Sequence, residues 1–341
     1  MSSATEREIA AMRHAITLAE RGRGLTSPNP IVGCVILDGG GRVVGEGFHE
    51  HAGGPHAEVA ALAAAGPRAH GGAAVVTLEP CRHTGRTGPC TQALIDAGVD
   101  RVVYATSDPS SAAGGGADEL RAAGVDVLGG VLADEVARSN EAWLHFARTG
   151  RPFVTWKFAA TLDGRTAAAD GTSRWITSEA ARADVHRLRA QHDAVMVGAG
   201  TALIDDPALT VRGAVSTSRQ PLRVVVGRRD VPSSAKVFDD AAPTLIVKEH
   251  DPDLVLKTLA ERDVVSVLLE GGATLAAAFM AAGRIDKVVA YLAPAFLGAG
   301  PPALGDAGIA TIGDIVRWRL DDVELVGGDL RITARPKKAG E

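Results

Sequence analysis

The sequence predicts a chain of two α/β domains. Its 341 residues exceed what one ordinary hydrophobic core supports, so two domains are expected. In both halves, segments with the apolar pattern of buried strands alternate with segments of helical periodicity, which indicates α/β architecture. A turn-rich segment over residues 148–152 interrupts the alternation, so we place the boundary there, with domains at residues 1–149 and 150–341.

The first half begins with an amphipathic helix over residues 6–21, because apolar side chains recur at helical intervals until Gly22. Two strands follow, joined by a turn of one aspartate and three glycines. The strands expected in this half cover residues 31–37, 42–48, 73–78, 101–106 and 125–130. The further helices are expected at residues 56–65, from residue 89 onward, at 118–124 and at 133–148.

The second half shows the same alternation, although no internal repeat links it to the first. Asp251 followed by Pro252 is typical of a helix N-cap with proline in the first turn. The expected strands cover residues 152–160, 194–198, 222–227, 244–247 and 264–270. The expected helices cover residues 178–191, 252–262 and 273–282.

Composition and charge exclude several classes of protein. A formal net charge of −5 provides no overall basic field for a nucleic-acid backbone, and aromatic residues for base stacking are scarce at 4%. Three cysteines, an odd number, argue against a disulfide framework, and the charged N-terminal segment lacks the apolar core of a signal peptide. The longest uncharged stretch, residues 288–305, contains three prolines and does not suit a membrane helix. We expect a cytoplasmic protein without nucleic-acid or membrane partners.

Three potential metal ligands lie at the ends of predicted elements. His56 precedes a helix in a His-Ala-Glu motif, Cys81 follows a strand, and Cys90 opens the next helix, whose N-terminus favours a thiolate. Two thiolates and one imidazole leave the fourth coordination position of a catalytic Zn²⁺ open for water. Glu58 can take a proton from that water and return it to a leaving amine, as in zinc deaminases that share the H-x-E…P-C pattern. Cys34 lies outside this pattern and is expected in the core.

The spacing of the two cysteines departs from the usual P-C-x-x-C motif, because eight residues separate Cys81 from Cys90. This insert carries one histidine and two arginines, which suit an anionic substrate at the mouth of the site. The alternative is a solvated basic loop. A purely structural zinc site would need a fourth protein ligand, for which His49, His51 and His83 are candidates.

Several motifs resemble those of the bifunctional riboflavin-biosynthesis deaminase–reductase family. In the first half, besides the insert between the cysteines, they are residues 28–34 (PNPIVGC), 45–49 (GEGFH), 54–58 (GPHAE) and 77–81 (TLEPC). In the second half they are residues 162–165 (LDGR), 175–178 (WITS), 205–212 (DDPALTVR) and 270–275 (EGGATL). The motifs occur in the family's order along nearly the whole chain.

The resemblance implies a cytidine-deaminase-like α/β/α domain followed by a dihydrofolate-reductase-like α/β domain. It also implies two successive reactions on one phosphorylated pyrimidine. The first uses Zn²⁺ to replace an amino group of a diaminopyrimidinone ribosylamine 5′-phosphate by oxygen. The second uses NADPH to reduce the ribosyl group to ribityl. The resemblance further implies a homo-oligomer, namely a dimer formed through the reductase domain.

The same resemblance assigns residues to each site. Asn29, His49, His83 and Arg86 would hold the base and the phosphate of the first substrate. The implied contacts to the second substrate are Ser173, Arg189, Leu209, Arg212 and Glu270. The implied NADPH contacts are Lys157, Ala160, Trp175, Thr201, Asp205 and Gly272. Gly227 stands where the family usually has an aspartate, so the preference for NADPH over NADH stays open.

By itself, the second half lacks the G-x-G-x-x-G fingerprint of a Rossmann domain. The Gly271-Gly272 pair between a strand and a helix suits the pyrophosphate of a dinucleotide, or forms an ordinary turn. One alternative is therefore a deaminase whose second domain only holds substrate or promotes oligomerisation; the retained motifs of the second half argue against it. Another is a nucleic-acid deaminase with the same zinc motif, which the acidic net charge disfavours.

Overall fold

The computed structural model describes residues 3–82, 88–110, 114–215 and 217–337. His83 and Arg86, both expected at the first site, lie outside the described residues. The chain divides into two compact units, Met1–Gly150 and Arg151–Glu341. Among the described residues, none of the helices combines the length and the apolar character that crossing a membrane requires.

The first unit is built on a five-stranded sheet with helices on both faces. Its helices are α1 (Glu6–Glu20), α2 (Ala57–Ala65), α3 (Cys90–Asp96), α4 (Gly116–Ala122), α5 (Ala133–Ser139) and α6 (Glu141–Thr149). Its strands are β1 (Gly33–Leu37), β2 (Val43–Phe48), β3 (Ala73–Leu78), β4 (Arg101–Thr106) and β5 (Asp126–Leu128). The strand order is β2-β1-β3-β4-β5, in which β3, β4 and β5 are parallel and β1 is antiparallel to both of its neighbours.

The side chains of β1 point alternately to the two faces of the sheet, and helices pack against both faces. Cys34 and Ile36 pack with residues of α2, α3 and α4, whereas Val35 and Leu37 pack with α1 and α5. All four side chains are at most 3% exposed, so β1 reads as one continuous apolar run. The α/β/α architecture and the core position of Cys34 predicted from the sequence are confirmed.

The single helix expected over residues 133–148 is wrong, because the structure interrupts it at Asn140. This side chain is 5% exposed and exchanges two hydrogen bonds with the backbone of Ile31: its Nδ2 donates to the carbonyl at 2.8 Å, and its Oδ1 accepts from the amide at 3.0 Å. Asn140 leaves helical geometry, with φ −102° and ψ 21°. Hydrogen bonds to a distant segment thus separate α5 from α6. Helical periodicity reports only the local sequence, so it could not predict this break.

The second unit is built on an eight-stranded sheet, also with helices on both faces. Its strands are β6 (Phe153–Thr161), β7 (Ala194–Gly198), β8 (Leu222–Val226), β9 (Thr244–Val247), β10 (Ser266–Leu269), β11 (Lys287–Ala293), β12 (Trp318–Val326) and β13 (Asp329–Pro336). Its helices are α7 (Glu179–Ala190), α8 (Ala199–Asp205), α9 (Pro252–Ala260) and α10 (Ala273–Ala281). The strand order is β12-β13-β11-β6-β10-β7-β8-β9, and the six strands from β11 to β9 are parallel.

Four elements of this unit have no counterpart among the segments expected from the sequence: α8, β11, β12 and β13. Edge strand β12 pairs only with β13, and most of its residues are exposed, so it lacks the apolar pattern of a buried strand. By contrast, the cap expected before α9 is confirmed, because the Asp251 side chain accepts a hydrogen bond from the amide of Asp253.

One buried cation organises the far edge of this sheet. Arg223 on β8 has a fully buried side chain that donates to Thr244 Oγ1 at 2.9 Å and to Asp239 Oδ1 at 2.6 Å. It also donates to four backbone carbonyls, those of Ala208, Lys236, Asp239 and Ala242. Since buried charges need such partners, the arginine fixes the connection that leads from β8 to β9.

Arg223→Met should lower the free energy of unfolding of the second unit by about 3–5 kcal/mol, because the carbonyls and Asp239 lose their donor. Urea denaturation followed by tryptophan fluorescence reports this unit, since three of the four tryptophans lie in it. Arg187→Met, at an arginine with a 56% exposed side chain, is the matched control and should change stability by less than about 1 kcal/mol. Equal effects of the two substitutions would contradict the role given to Arg223.

Candidate active sites

In the first unit, three element ends bring His56, Cys81 and Cys90 together. His56 is the N-cap residue of α2, Cys81 follows β3, and Cys90 is the first residue of α3. Their ligand atoms all lie within 4.8 Å of one another. Both cysteines are buried, and His56 is partly buried. The cluster therefore forms because one strand end and two helix starts meet.

The distances fit a tetrahedral zinc ion. His56 Nδ1 lies 3.2 Å from Cys90 Sγ and 3.5 Å from Cys81 Sγ. A Zn²⁺ ion with ordinary Zn–N and Zn–S bonds holds neighbouring donor atoms about 3.5 Å apart. The three side chains thus need only small adjustments to share one ion.

The two thiols are coupled through the contact between their sulfurs. Hydrogen bonds from Cys90 and His56 lower the pKa of Cys81, whereas the contact with Cys81, together with burial, raises the pKa of Cys90. The thiolate expected at Cys90 from its helix N-terminus therefore stays a prediction. A divalent cation bound by both sulfurs would displace the remaining proton.

Glu58 lies in the first turn of α2, two residues after His56, and is 4% exposed. Burial raises the pKa of its carboxyl group to about 7. A carboxyl group that titrates near neutrality can both accept and return a proton, and Zn²⁺ nearby favours its charged form. Glu58 thus has the burial and the pKa that suit a proton-transfer group.

Of the four residues expected to hold the first substrate, the structure describes Asn29 and His49, and they contact each other. His49 Nε2 lies 3.3 Å from Asn29 Nδ2, and His49 Nδ1 lies 3.0 Å from the carbonyl of Pro55. The His49 ring also meets His56 edge-on, with 5.7 Å between ring centres. Burial lowers the pKa of His49, which favours a neutral ring that donates to Pro55 and accepts from Asn29.

These contacts bear on the alternative of a closed, structural zinc site. Both ring nitrogens of His49 already have partners, and the exposed His51 has its Nδ1 3.2 Å from the carbonyl of Ala52. Among the described residues, no other histidine, cysteine or acidic side chain joins the three ligands. Within the described part of the chain, the three ligands therefore leave a coordination position for water, as a catalytic site requires; His83, the third candidate for a fourth ligand, lies outside it.

Sequence reasoning missed two residues that support the cluster. The buried Glu79 accepts from the amides of Gly115 at 3.1 Å and Ala117 at 3.0 Å, so it fixes the segment that enters α4 beside Pro80 and Cys81. The fully buried Thr91 holds the Cys81 carbonyl through its amide at 3.2 Å. The position of Glu79 inside the TLEPC motif was the available signal for the first of these.

The second unit contains a cavity of about 1030 Å³. Residues after β7, β8 and β10 line it, as do residues of β6. A volume of this size accommodates a dinucleotide or a drug-sized ligand. The sequence-predicted residues that line it are Lys157, Ser173, Trp175, Thr201, Asp205, Glu270 and Gly272.

A buried charge cluster forms one wall of this cavity. Arg189 Nε donates to Glu270 Oε1 at 2.6 Å, and its Nη2 donates to Oε2 at 3.0 Å, while Lys157 Nζ lies 3.7 Å from Oε2. Burial alone would raise the pKa of Glu270, but the charges of Arg189 and Lys157 lower it to about 2. Burial also lowers the pKa of Lys157. Glu270 is therefore a permanent carboxylate, next to a lysine whose proton is comparatively easy to release.

The turn that directly follows Glu270 fits a dinucleotide phosphate. Gly272 is the N-cap residue of α10 and donates its amide to Thr201 Oγ1 at 3.0 Å. Neither Gly271 nor Gly272 has a side chain to block the helix N-terminus, where free amides bind phosphate. Trp175 is 69% exposed and offers a planar surface, backed by the Arg182 guanidinium 4.3 Å from its ring centre. The residues present thus fit NADPH.

Four of the predicted contacts lie elsewhere. Arg189 reaches the cavity only through Glu270, and Arg212 is exposed, with its amide donating to His186. Ala160 and Leu209 have buried side chains, 0% and 2% exposed, and do not line the cavity. The sequence did not single out four arginines that do line it: Arg174, Arg182, Arg228 and Arg229.

Comparison with known proteins places each unit. Residues 5–106 match the family model of the cytidine and deoxycytidylate deaminase zinc-binding region, and residues 152–332 match that of the RibD C-terminal domain. The riboflavin biosynthesis protein RibD of Mycobacterium tuberculosis is 53% identical over 326 residues, which span 95% of this chain and 96% of that protein.

Two solved structures resemble the whole chain. RibD of Acinetobacter baumannii has a TM-score of 0.91 and 39% identity, and the match covers 98% of this chain and 99% of that one. A diaminohydroxyphosphoribosylaminopyrimidine deaminase/5-amino-6-(5-phosphoribosylamino)uracil reductase of Thermotoga maritima has a TM-score of 0.91 and 35% identity, covering 97% and 99%. The chain therefore belongs to the RibD family and is a bifunctional deaminase and reductase of riboflavin biosynthesis, with a zinc-binding deaminase domain and an NADPH-dependent reductase domain.

Proposed function

We propose that residues 1–149 deaminate a diaminopyrimidinone ribosylamine 5′-phosphate and that residues 150–341 then reduce the ribosyl group of the product. The two activities in the name of the Thermotoga maritima relative support this order. The observation that carries the first reaction is the buried Glu58 beside three ligands that leave one coordination position open. The alternative of a non-catalytic second domain is disfavoured, because the matched reductase family spans nearly all of that unit.

In the first reaction, the oxygen of a water molecule replaces the amino group on a ring carbon, and the amino group leaves as ammonia. Zn²⁺, when bound by His56, Cys81 and Cys90, supplies an acidified water. Glu58 accepts a proton from that water and delivers it to the departing amino group. We assign base binding to Asn29 and His49, whose mutual hydrogen bond fixes their orientation at the ligand cluster.

Glu58→Gln should reduce ammonia release at least 100-fold, because the amide is isosteric but cannot carry the proton. Zinc content should stay at the wild-type level, since Glu58 is not a ligand. A coupled ammonia assay and elemental analysis measure the two quantities. Glu50→Gln, at an exposed position, serves as control and should leave both unchanged. Normal ammonia release by the zinc-loaded Glu58→Gln enzyme would refute the assignment.

In the second reaction, C1′ of the ribosyl group would accept a hydride from NADPH bound in the cavity, and the ring oxygen would receive a proton. We propose that Glu270, held by Arg189, binds sugar hydroxyl groups as a fixed carboxylate. Lys157 is positioned to donate the proton, because burial lowers its pKa and Glu270 holds its ammonium group. Alignment of the nicotinamide with C1′ supplies the rest of the rate enhancement.

Lys157→Met should lower the kcat of NADPH oxidation at least 100-fold with the deaminated substrate, because hydrogen-bonded positioning and the proton are both lost. Ammonia release from the diamino substrate should be unchanged. The matched control is Lys257→Met, at an exposed lysine on α9. A wild-type chain that oxidised no NADPH would show that the second unit is non-catalytic. An active wild type together with a fully active Lys157→Met variant would contradict the role given to Lys157.

We propose that the protein is a dimer formed through the reductase domain and acts in the cytoplasm. Edge strand β12 exposes Leu320, Val323 and Leu325, which are 65%, 52% and 77% exposed. Such an unpaired apolar edge is a natural contact for a second copy of the chain. All three cysteines are free, which suits a reducing compartment.

Leu325→Lys should convert a dimer into a monomer, since it places a charge on this surface. Light scattering coupled to size-exclusion chromatography measures the mass against 35.1 kDa for one chain. Leu254→Lys, at a 48% exposed leucine on α9, is the control and should remain dimeric. A monomeric wild type, or a dimeric Leu325→Lys variant, would exclude this interface.

A further inference from the structure

One face of α7 carries three basic side chains. Arg182, His186 and Arg189 are four and three residues apart, a spacing that places side chains on the same side of a helix. Arg182 lines the cavity, and the buried Arg189 binds Glu270. His186 is partly buried and lies between the two arginines along the helix. This face therefore places a titratable ring between an arginine of the cavity wall and the arginine that binds Glu270.

The segment that follows α8 packs against His186. The amide of Arg212 donates a hydrogen bond to His186 Nδ1, with 3.3 Å between the nitrogens. Gln220 fixes this segment, because its side-chain amide accepts from the Val211 amide at 2.8 Å and donates to the Val211 carbonyl at 3.1 Å. Arg212 is thereby held next to the histidine ring.

The surroundings of His186 are mainly positive. Burial and the charges of Arg189 and Arg212 lower the pKa of His186, whereas Glu270 and the Thr210 carbonyl act in the opposite direction. The same carbonyl accepts a hydrogen bond from Arg189 Nη1 at 3.0 Å. Since an unperturbed histidine titrates near pH 6.5, the ring is neutral at pH 7 when no ligand is bound.

The charges around this ring do not balance. One carboxylate, that of Glu270, is shared by Lys157 and Arg189. The exposed Arg212 forms no ion pair with any other residue that the structure describes. An excess of positive charge beside an exposed guanidinium group suits a phosphate dianion, to which guanidinium groups donate strong, charge-assisted hydrogen bonds.

We propose that His186, together with Arg212, binds the 5′-phosphate of the second substrate and takes up a proton from solvent as it does so. The inference rests on the proposed reductase function of the second unit. Arg212 was expected as a substrate contact from the sequence, whereas His186 was not. A phosphate dianion beside the ring offsets the positive charges around it and favours the imidazolium form. Binding thus converts a neutral ring into a charged hydrogen-bond donor.

This proton uptake gives substrate affinity a defined dependence on pH. In the complex the ring keeps its proton up to the raised pKa of the bound state, so affinity falls as the pH increases through that value. Below about pH 6 the phosphate itself gains a proton, which sets the lower limit of the range. Lys157 also titrates, with a pKa lowered by burial, but it is present in the wild type and in every His186 variant.

The test follows NADPH oxidation by the full-length protein with the deaminated substrate, between about pH 6.5 and 8.5. His186→Gln removes the titration but keeps an acceptor for the Arg212 amide, and His186→Lys carries a permanent charge. His70→Gln, at an exposed histidine of the first unit, is the control. Calorimetry without cofactor then measures the protons taken up per bound ribose 5-phosphate, at about pH 7 in buffers of different ionisation enthalpy, with ribose as the phosphate-free control.

The KM of the wild type should rise about tenfold over this pH range, because the imidazolium contact is lost. His186→Gln should have the high KM at every pH and a kcat within about twofold of wild type, and His186→Lys should keep the low KM. Uptake of about half a proton or more should disappear in His186→Gln and persist in His70→Gln.

Two results would overturn the proposal and leave the reductase function intact. One is a parallel pH dependence of KM in the wild type and His186→Gln, and the other is equal proton uptake by these two proteins. A wild-type protein that oxidised no NADPH would overturn the reductase function and this proposal together.

Discussion

The carboxyl end of a parallel strand imposes the geometry on which both sites depend. A parallel strand must be followed by a crossover, and here the crossovers begin with loops that turn into helices. At the end of β3 this arrangement brings Cys81 beside the first turns of α2 and α3, which carry His56, Glu58 and Cys90. In the second unit the ends of β10, β7 and β8 carry the Gly271-Gly272 turn, Thr201, and Arg228 with Arg229, all of which line the cavity. Helix N-termini at such edges supply free amides and a positive field.

Two buried glutamates show how the surroundings decide the chemistry of one residue type. Burial raises the pKa of Glu58 to about 7, so this carboxyl group can exchange a proton. Glu270 is equally buried, yet Arg189 and Lys157 lower its pKa to about 2. The first glutamate suits proton transfer, and the second suits a fixed negative charge that orients hydroxyl groups. Burial determines the pKa of Glu58, whereas at Glu270 the neighbouring cations outweigh burial.

Buried polar side chains hold the loops that carry the sites. Asn140 is hydrogen-bonded to Ile31, which lies in the motif of residues 28–34, and Glu79 accepts a hydrogen bond from the start of α4. Arg223 donates hydrogen bonds to the connection after β8. The last of these connections begins at Gly227 and carries Arg228 and Arg229, two of the arginines that line the cavity. Each interaction joins residues that are far apart in sequence or lie in irregular segments.

The sequence by itself determined the α/β class and the family, because apolar periodicity and short motifs are local properties of the chain. It also indicated the ligands His56, Cys81 and Cys90, since a catalytic zinc requires few residue types at element ends. The tertiary structure decided the break at Asn140, the exposed strand β12 and the presence of β11 and β13, which depend on distant pairing. It also separated cavity-lining residues from Ala160, Leu209 and Arg212. Burial and the distribution of charge around a side chain arise only when distant segments pack together, so no local pattern contains them.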